Sequence, residues 1–194
     1  MNKKTVLITG ASSGLGKFLS EKFKLQGHRV LEHMGKKHYN LNNLEHIHNL
    51  AEDAKKENVS VLINNAAIVC PNICFENYDF ELVESMLNVN LKAPILLSLL
   101  LIDHLSDIIN INSMVGLEVK KTRTLYSATK WGLRGFSNSL KLEKPDINIL
   151  DVYPTNIKTT PDRKSAMDVE MVVNKIYQSY STKQKELILD GRNK

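Results

Sequence analysis

A chain of 194 residues with 42% hydrophobic and 24% charged side chains has the balance of an ordinary globular protein and is long enough to bury a substantial core as one domain. Its net charge of +5 comes from scattered Lys and Arg, clustered only at Lys36-Lys37, Lys55-Lys56 and Lys120 to Arg123, so specific nucleic-acid binding is not expected, although attraction for anionic ligands is. Met1 to Lys4 leads straight into an apolar run without a signal-peptide pattern, and the longest apolar stretch, Ala93 to Ile102, is broken by Pro94 and Ser98. A cytoplasmic protein with no membrane span is therefore expected.

Lys4 to Thr9 reads as a first strand, followed by Gly10-Ala-Ser-Ser-Gly14-Leu-Gly16 and by Leu15, Phe18, Leu19 and Phe23 at helical spacing. A glycine turn between a strand and a helix lets backbone approach a pyrophosphate and presents amides at a helix N-terminus. Arg29 to His33 reads as the second strand. At its far end an acid would favour the free ribose of NAD(H), whereas a base favours a 2′-phosphate. Glu32 comes too early and Lys36-Lys37 follow, so NADP(H) is favoured over NAD(H).

Lys37 to Leu41 is a minimal third strand at best. Leu44, Ile47, Leu50, Ala51 and Ala54 give an amphipathic helix to Glu57, and Val59 to Ala67 a buried strand ending in two asparagines and small residues. Phe80 to Leu101 is a long apolar helical region containing Asn88 and Asn90, whose amides need partners; a helix irregularity with local bonding would satisfy them. Cys70 and Cys74 read as reduced thiols with no metal-ligand set around them, and the six histidines as surface or loop residues.

Ser106 to Ser113 is the next buried strand. Leu125 to Leu142 follows as a helix, Ile147 to Tyr153 as a strand stopped by Pro154, Val169 to Tyr180 as a helix and Glu186 to Asp190 as a last strand. Apolar strands alternating with helices imply a doubly wound α/β fold, a parallel sheet with helices on both faces, in a single domain spanning residues 1 to 194. Within the Leu125 helix, Tyr126 and Lys130 lie one turn apart on one face, so the lysine charge can favour the phenolate of a side chain whose ordinary pKa of about 10 makes it a poor base.

These residues together resemble the classical short-chain dehydrogenases/reductases, which have a Rossmann-type fold. Thr9 to Gly16 is similar to the family's TGxxxGxG turn, Asn64-Asn65-Ala66-Ala67 to NNAG with Ala67 in place of glycine, Tyr126 and Lys130 to YxxxK, and Pro154 to Thr159 to PGxxxT with Thr155 replacing glycine. Asn90 and Ser113 fall at the family's catalytic asparagine and serine. The resemblance implies an oxidoreductase moving a hydride between NADP(H) or NAD(H) and a carbonyl or secondary alcohol. Tyr126 would be the acid/base, Lys130 would lower its pKa and hold the cofactor ribose, Ser113 would orient the carbonyl, and Asn90 would hold a water in a proton relay. Gly10, Ser12, Ser13, Gly14, Leu15, Gly16, Lys36, Asn40, Asn64, Ala66, Tyr126, Lys130, Pro154, Ile157 and Thr159 would surround the cofactor.

Departures from the family pattern carry expectations of their own. Asn40 stands where an aspartate commonly caps the adenine, and the short segment Thr160 to Met167 predicts an open site or one covered by another subunit. Lys120, Lys121 and Arg123 could draw in an anionic substrate or be solvated. A homodimer or homotetramer would pack Leu82 to Ile102 and the helix carrying Trp131 and Phe136. The alternative function is a catalytically silent NAD(P)-binding sensor or scaffold of the same fold.

Overall fold

The computed structural model describes residues 3–69, 72–159 and 166–192. The chain runs β1 (Thr5–Ile8), α1 (Gly14–Leu25), β2 (Arg29–Glu32), α2 (Leu44–Lys56) and β3 (Val59–Asn64). It continues through α3 (Phe80–Leu87), α4 (Ala93–Leu101), β4 (Asp107–Ile111), α5 (Thr124–Glu143), β5 (Asn148–Pro154), β6 (Ile157–Lys158), β7 (Met167–Asp168), α6 (Val169–Ser181) and β8 (Glu186–Leu189). Six strands form one sheet in the order β2-β1-β3-β4-β5-β8, and every neighbouring pair is parallel. β6 and β7 make a separate two-stranded ribbon.

Strand side chains alternate between two buried faces, which is why the strands read as continuously apolar. Val6, Ile8, Val61, Ile63, Ile109 and Val152 pack with Leu15, Leu19 and Phe23 of α1 and with Val172 and Ile176 of α6. Leu7, Leu62, Ile108 and Ile149 pack on the other face with Ile47 and Leu50 of α2 and Leu97 and Leu101 of α4. Leu44, expected on the buried stripe of α2, is instead 54% exposed. The strand order reverses beside β1, and parallel strands all point their C-terminal ends at one rim of the sheet, where ligands of open α/β sheets bind.

Two further expectations are corrected. Residues 37–41 form no strand, because His38 and Tyr39 donate their amides to the carbonyl of Gly35, whose φ of +84° curls the chain into a turn. His28 and His33 are buried rather than on the surface. Phe80–Leu101 is the long apolar helical region expected, and it has the length and composition of a membrane-crossing helix. Here it covers the sheet, with Met86, Ala93, Leu97 and Leu101 fully buried, and a π-helical turn at Asn88–Lys92 divides it. That turn is the irregularity expected at the asparagines. Cys74 is a free exposed thiol; Cys70 lies outside the described residues, as does most of the Thr160 to Met167 segment.

Candidate active site

A cleft of ≈ 900 Å³ runs along the C-terminal rim of the sheet. At one end lies the glycine turn. Gly10 has φ +68° and Gly14 φ +54°, a backbone region that side chains resist. A Cβ on Gly10 would stand 2.9 Å from Ala66 Cα, and one on Gly16 only 2.2 Å from Gly10 O, so both glycines are required for the turn to fold against α1 and β3. Thr9 and Asn65 pin it further: Asn65 Nδ2 donates to the carbonyls of Thr9 (2.8 Å) and Gly10 (3.1 Å), while Thr9 Oγ1 accepts from the amides of Asn65 and Ala66.

The start of α1 suits a phosphate. Ser13 occupies the N-cap but its side chain accepts no bond from the helix, and the first turn has no acid. Orphan amides and the positive end of the helix dipole therefore face the cleft without an internal anion. Ser12, Ser13, Gly14 and Leu15 all line it. The residues fit a dinucleotide pyrophosphate.

Beyond β2, His33 replaces the expected surface residue with a buried brace. Its Nδ1 accepts from Gly10 N–H (3.1 Å), which leaves the proton on Nε2 to donate to the Tyr39 carbonyl (2.7 Å). Burial holds the imidazole pKa below its ordinary value, so the neutral ring that can accept from Gly10 is the stable form. Glu32 turns to the α1 side, accepting from Ser20 Oγ (2.5 Å) and pairing with Lys24 (2.8 Å), and it does not line the cleft. Lys36 and Asn40 do; Lys37 does not.

The other end of the cleft holds Ser113, just after β4, and Tyr126 and Lys130 on α5. Lys130 is 2% exposed, and its ammonium donates to the Ile111 carbonyl (2.9 Å) and lies 5.7 Å from the centre of the Tyr126 ring. Among the described residues no carboxylate lies within ion-pair distance of it. Desolvation pulls its pKa down to about 8. Ser113 Oγ accepts from Val115 N–H at 3.4 Å, leaving its hydroxyl proton available to a ligand. The mouth is walled by Glu118, Val119, Lys120, Arg123 and Arg192; Arg192 grips Glu118 with two bonds of 2.7 and 2.8 Å and also binds Asp190. Lys121 is not among the lining residues.

Of the residues expected at the site, Gly10, Ser12, Ser13, Gly14, Leu15, Lys36, Asn40, Ala66, Ser113, Tyr126, Lys130, Pro154, Ile157 and Thr159 line the cleft. Three do not. Gly16 is a packing glycine, as its missing space shows. Asn64 points into the sheet, where its Nδ2 donates to Asn110 Oδ1 (2.9 Å), and the next residue, Asn65, meets the cleft instead. Asn90, 1% exposed, spends its carboxamide on the backbone of residue 68: Oδ1 accepts from Ile68 N–H (2.7 Å) and Nδ2 donates to Ile68 O (2.9 Å) and Thr129 Oγ1 (3.4 Å). Its side chain anchors a wall of the cleft through residue 68. Sequence reasoning missed His33, Asn65, Tyr39 and Arg192. Asn65 was legible as the neighbour of Asn64, but no local pattern links Arg192 to Glu118.

A family model described as short chain dehydrogenase matches residues 32–170. A 3-oxoacyl-(acyl-carrier-protein) reductase from Rickettsia prowazekii is 30% identical over 198 residues, covering 89% of this chain and 81% of that protein. An uncharacterized oxidoreductase from Staphylococcus saprophyticus is 27% identical, covering 82% and 80%. The fold is also that of a bulky-bulky ketone specific alcohol dehydrogenase from Comamonas testosteroni (TM-score 0.85, 23% identity, 97% and 86% covered). It is shared by an alcohol dehydrogenase from the archaeon Thermococcus sibiricus complexed with 5-hydroxy-NADP (TM-score 0.86, 19% identity, 100% and 98% covered). The glycine turn, the serine, tyrosine and lysine of the cleft, and these matches lead to one conclusion: the chain belongs to the short-chain dehydrogenase/reductase family of oxidoreductases.

Proposed function

We propose that this protein is an NADP(H)-preferring enzyme that interconverts a carbonyl and a secondary alcohol, with Tyr126 as the acid/base. The observation that carries this reading is that Ser113, Tyr126 and Lys130 line the same cleft as the glycine turn. The cofactor, when bound, supplies or accepts the hydride. Tyr126 gives a proton to the substrate oxygen in reduction and takes it back in oxidation. Ser113, with its proton free, orients that oxygen and stabilises the charge developing on it. Lys130 has three donors and spends one on Ile111, so two remain for the cofactor ribose hydroxyls and for the phenol. Its charge, held up to pH about 8, favours the phenolate. Asn90 serves by fixing Ile68, and Asn64 by tying β3 to β4.

The preference for NADP(H) rests on Lys36 at the β2 end of the cleft and on Glu32 being turned away from it. The Rickettsia relative makes a 3-oxoacyl thioester a sensible first substrate, beside simple ketones. The protein acts in the cytoplasm as a homodimer or homotetramer, an assembly supported by exposed Phe80, Leu87 and Leu99 on α3 and α4 and Trp131 on α5; sedimentation as monomer alone at high concentration would count against it.

The test is NADPH oxidation across a carbonyl panel by wild type and Tyr126→Phe. Turnover should fall about a thousandfold in the variant while NADPH affinity stays within twofold. Full turnover in the variant refutes the mechanism, and tight NADPH binding with no oxidation of any panel member points to a silent sensor instead.

A further inference from the structure

Two consecutive residues, Ile111 at the end of β4 and Asn112 just after it, hold the catalytic helix. Ile111 accepts the Lys130 ammonium through its carbonyl (2.9 Å), and Ser113 lines the cleft. Between them, Asn112 is 3% exposed and uses both ends of its carboxamide. Its Nδ2 donates to the main-chain carbonyl of Lys130 (3.1 Å), and its Oδ1 accepts from the amide of Ser113 (2.9 Å). Its own amide donates to the Val152 carbonyl on β5 (2.8 Å), so the backbone that carries this side chain is fixed in the sheet.

The rest of the neighbourhood is shaped around that carboxamide. Gly116, at the turn between Ser113 and α5, leaves room for it: a Cβ there would stand 2.6 Å from Asn112 Oδ1 and 3.2 Å from the Lys130 carbonyl. The Lys130 carbonyl belongs to the interior of a 20-residue helix, whose carbonyls ordinarily find donors within the helix, so the Asn112 bond uses its second lone pair. The Ile111 contact restrains only the tip of a flexible four-carbon stem. The Asn112 contact restrains the helix backbone from which both Lys130 and Tyr126 project.

We infer that Asn112 is a positioning residue for the reaction, setting the spacing between Ser113 and the Tyr126–Lys130 pair by holding both through one carboxamide. The inference rests on the reading of Ser113, Tyr126 and Lys130 as the reacting set. Hydride and proton transfer are sensitive to displacements near 1 Å, which can cost on the order of a hundredfold in rate. A side chain that merely filled space would affect stability alone.

The test uses the whole chain with Asn112→Ala, Asn112→Asp and Gly116→Ala, read in two ways. The first needs neither cofactor nor substrate: the Lys130 ammonium is titrated by NMR on protein labelled at the lysine ε-carbons. The wild-type midpoint is expected near 8; in Asn112→Ala it should rise toward that of a free lysine as the loosened helix lets water reach the ammonium. The second is steady-state kinetics, where kcat should fall about a hundredfold with KM for the carbonyl within about threefold. Asp at this position keeps the acceptor for Ser113 but loses the donor to Lys130, so it should match Ala. Gly116→Ala, which crowds the carboxamide without removing it, should give a smaller loss in the same direction and serves if Asn112 variants do not fold. Folded variants with an unmoved Lys130 titration and wild-type kcat would overturn the inference. If Tyr126→Phe keeps full turnover, the catalytic reading fails by itself, while the Lys130 titration still reports whether Asn112 sets that residue's place.

Discussion

The two rims of the sheet treat buried charge in opposite ways. At the N-terminal rim, Asp107 is fully buried and is met by Lys4 (2.6 Å), Lys183 (2.5 Å) and Ser106 (2.8 Å). Burial alone would push its carboxyl up, but the two lysines and the serine outweigh it and hold the pKa below the ordinary value. At the C-terminal rim, Lys130 is nearly as buried and meets a single carbonyl, so desolvation goes unopposed and its pKa falls to about 8. A compensated charge fastens the chain together, here joining the first strand to the turn after α6. An uncompensated one is costly to keep and adjustable near neutral pH, which is what a reacting centre requires.

The largest effect should follow from removing the uncompensated charge. Lys130→Met should lower turnover about a thousandfold and also weaken NADPH binding, measured by fluorescence titration; loss of turnover with unchanged affinity would mean that the ammonium does not reach the cofactor. The same group predicts a pH dependence. Lys130 titrates near 8 when folded and at 10.5 as an ordinary lysine, so between those values the unfolded chain binds the extra proton and stability rises with pH. Below 8 both states carry the proton and the burial cost is present in full. Denaturation midpoints measured across this window should climb in the wild type and stay flatter in Lys130→Met.

Breaking the compensated charge should act on stability instead. Asp107→Asn leaves two lysines without their shared carboxylate and should cost about 3 kcal/mol in urea unfolding, with turnover of the folded protein unchanged. Because the folded Asp107 pKa lies below its ordinary 3.8, its contribution is present above that pH and is lost as pH falls through the folded value. A charge at the surface should matter least. Lys36 is exposed and lines the cofactor end of the cleft, and Lys36→Ala should weaken NADPH by about fivefold while leaving NADH unaltered; equal loss for both cofactors would place the lysine away from the 2′-phosphate.

Several residues show how far local pattern carries. The glycine turn was legible because Gly10, Gly14 and Gly16 stand between an apolar strand and a periodic helix. The Tyr126–Lys130 spacing was legible because helix geometry puts residues four apart on one face. Asn64 and Asn65 were not separable in that way. Both read as polar residues at a strand end, yet alternation sends Asn64 to Asn110 inside the sheet and Asn65 to the glycine turn. The pattern Asn110-Ile111-Asn112 did hold a signal, since residues two apart in a strand share a face, and both asparagines do bond toward α5 residues, Ser137 and Lys130.

By itself, the sequence determined the succession of strands and helices, the parallel doubly wound architecture, the glycine turn and the tyrosine–lysine face, because each is written in spacings of a few residues. Only the tertiary structure decided that His33 braces the glycine turn rather than facing water, that the Asn90 side chain bonds the backbone of Ile68, and that Arg192 crosses to Glu118 at the mouth of the cleft. It also decided that one asparagine holds both Ser113 and Lys130. The reason is physical. Burial and hydrogen-bond partners depend on what the rest of the chain brings within 3 Å of a side chain, and for these residues the partners come from other strands, loops and helices.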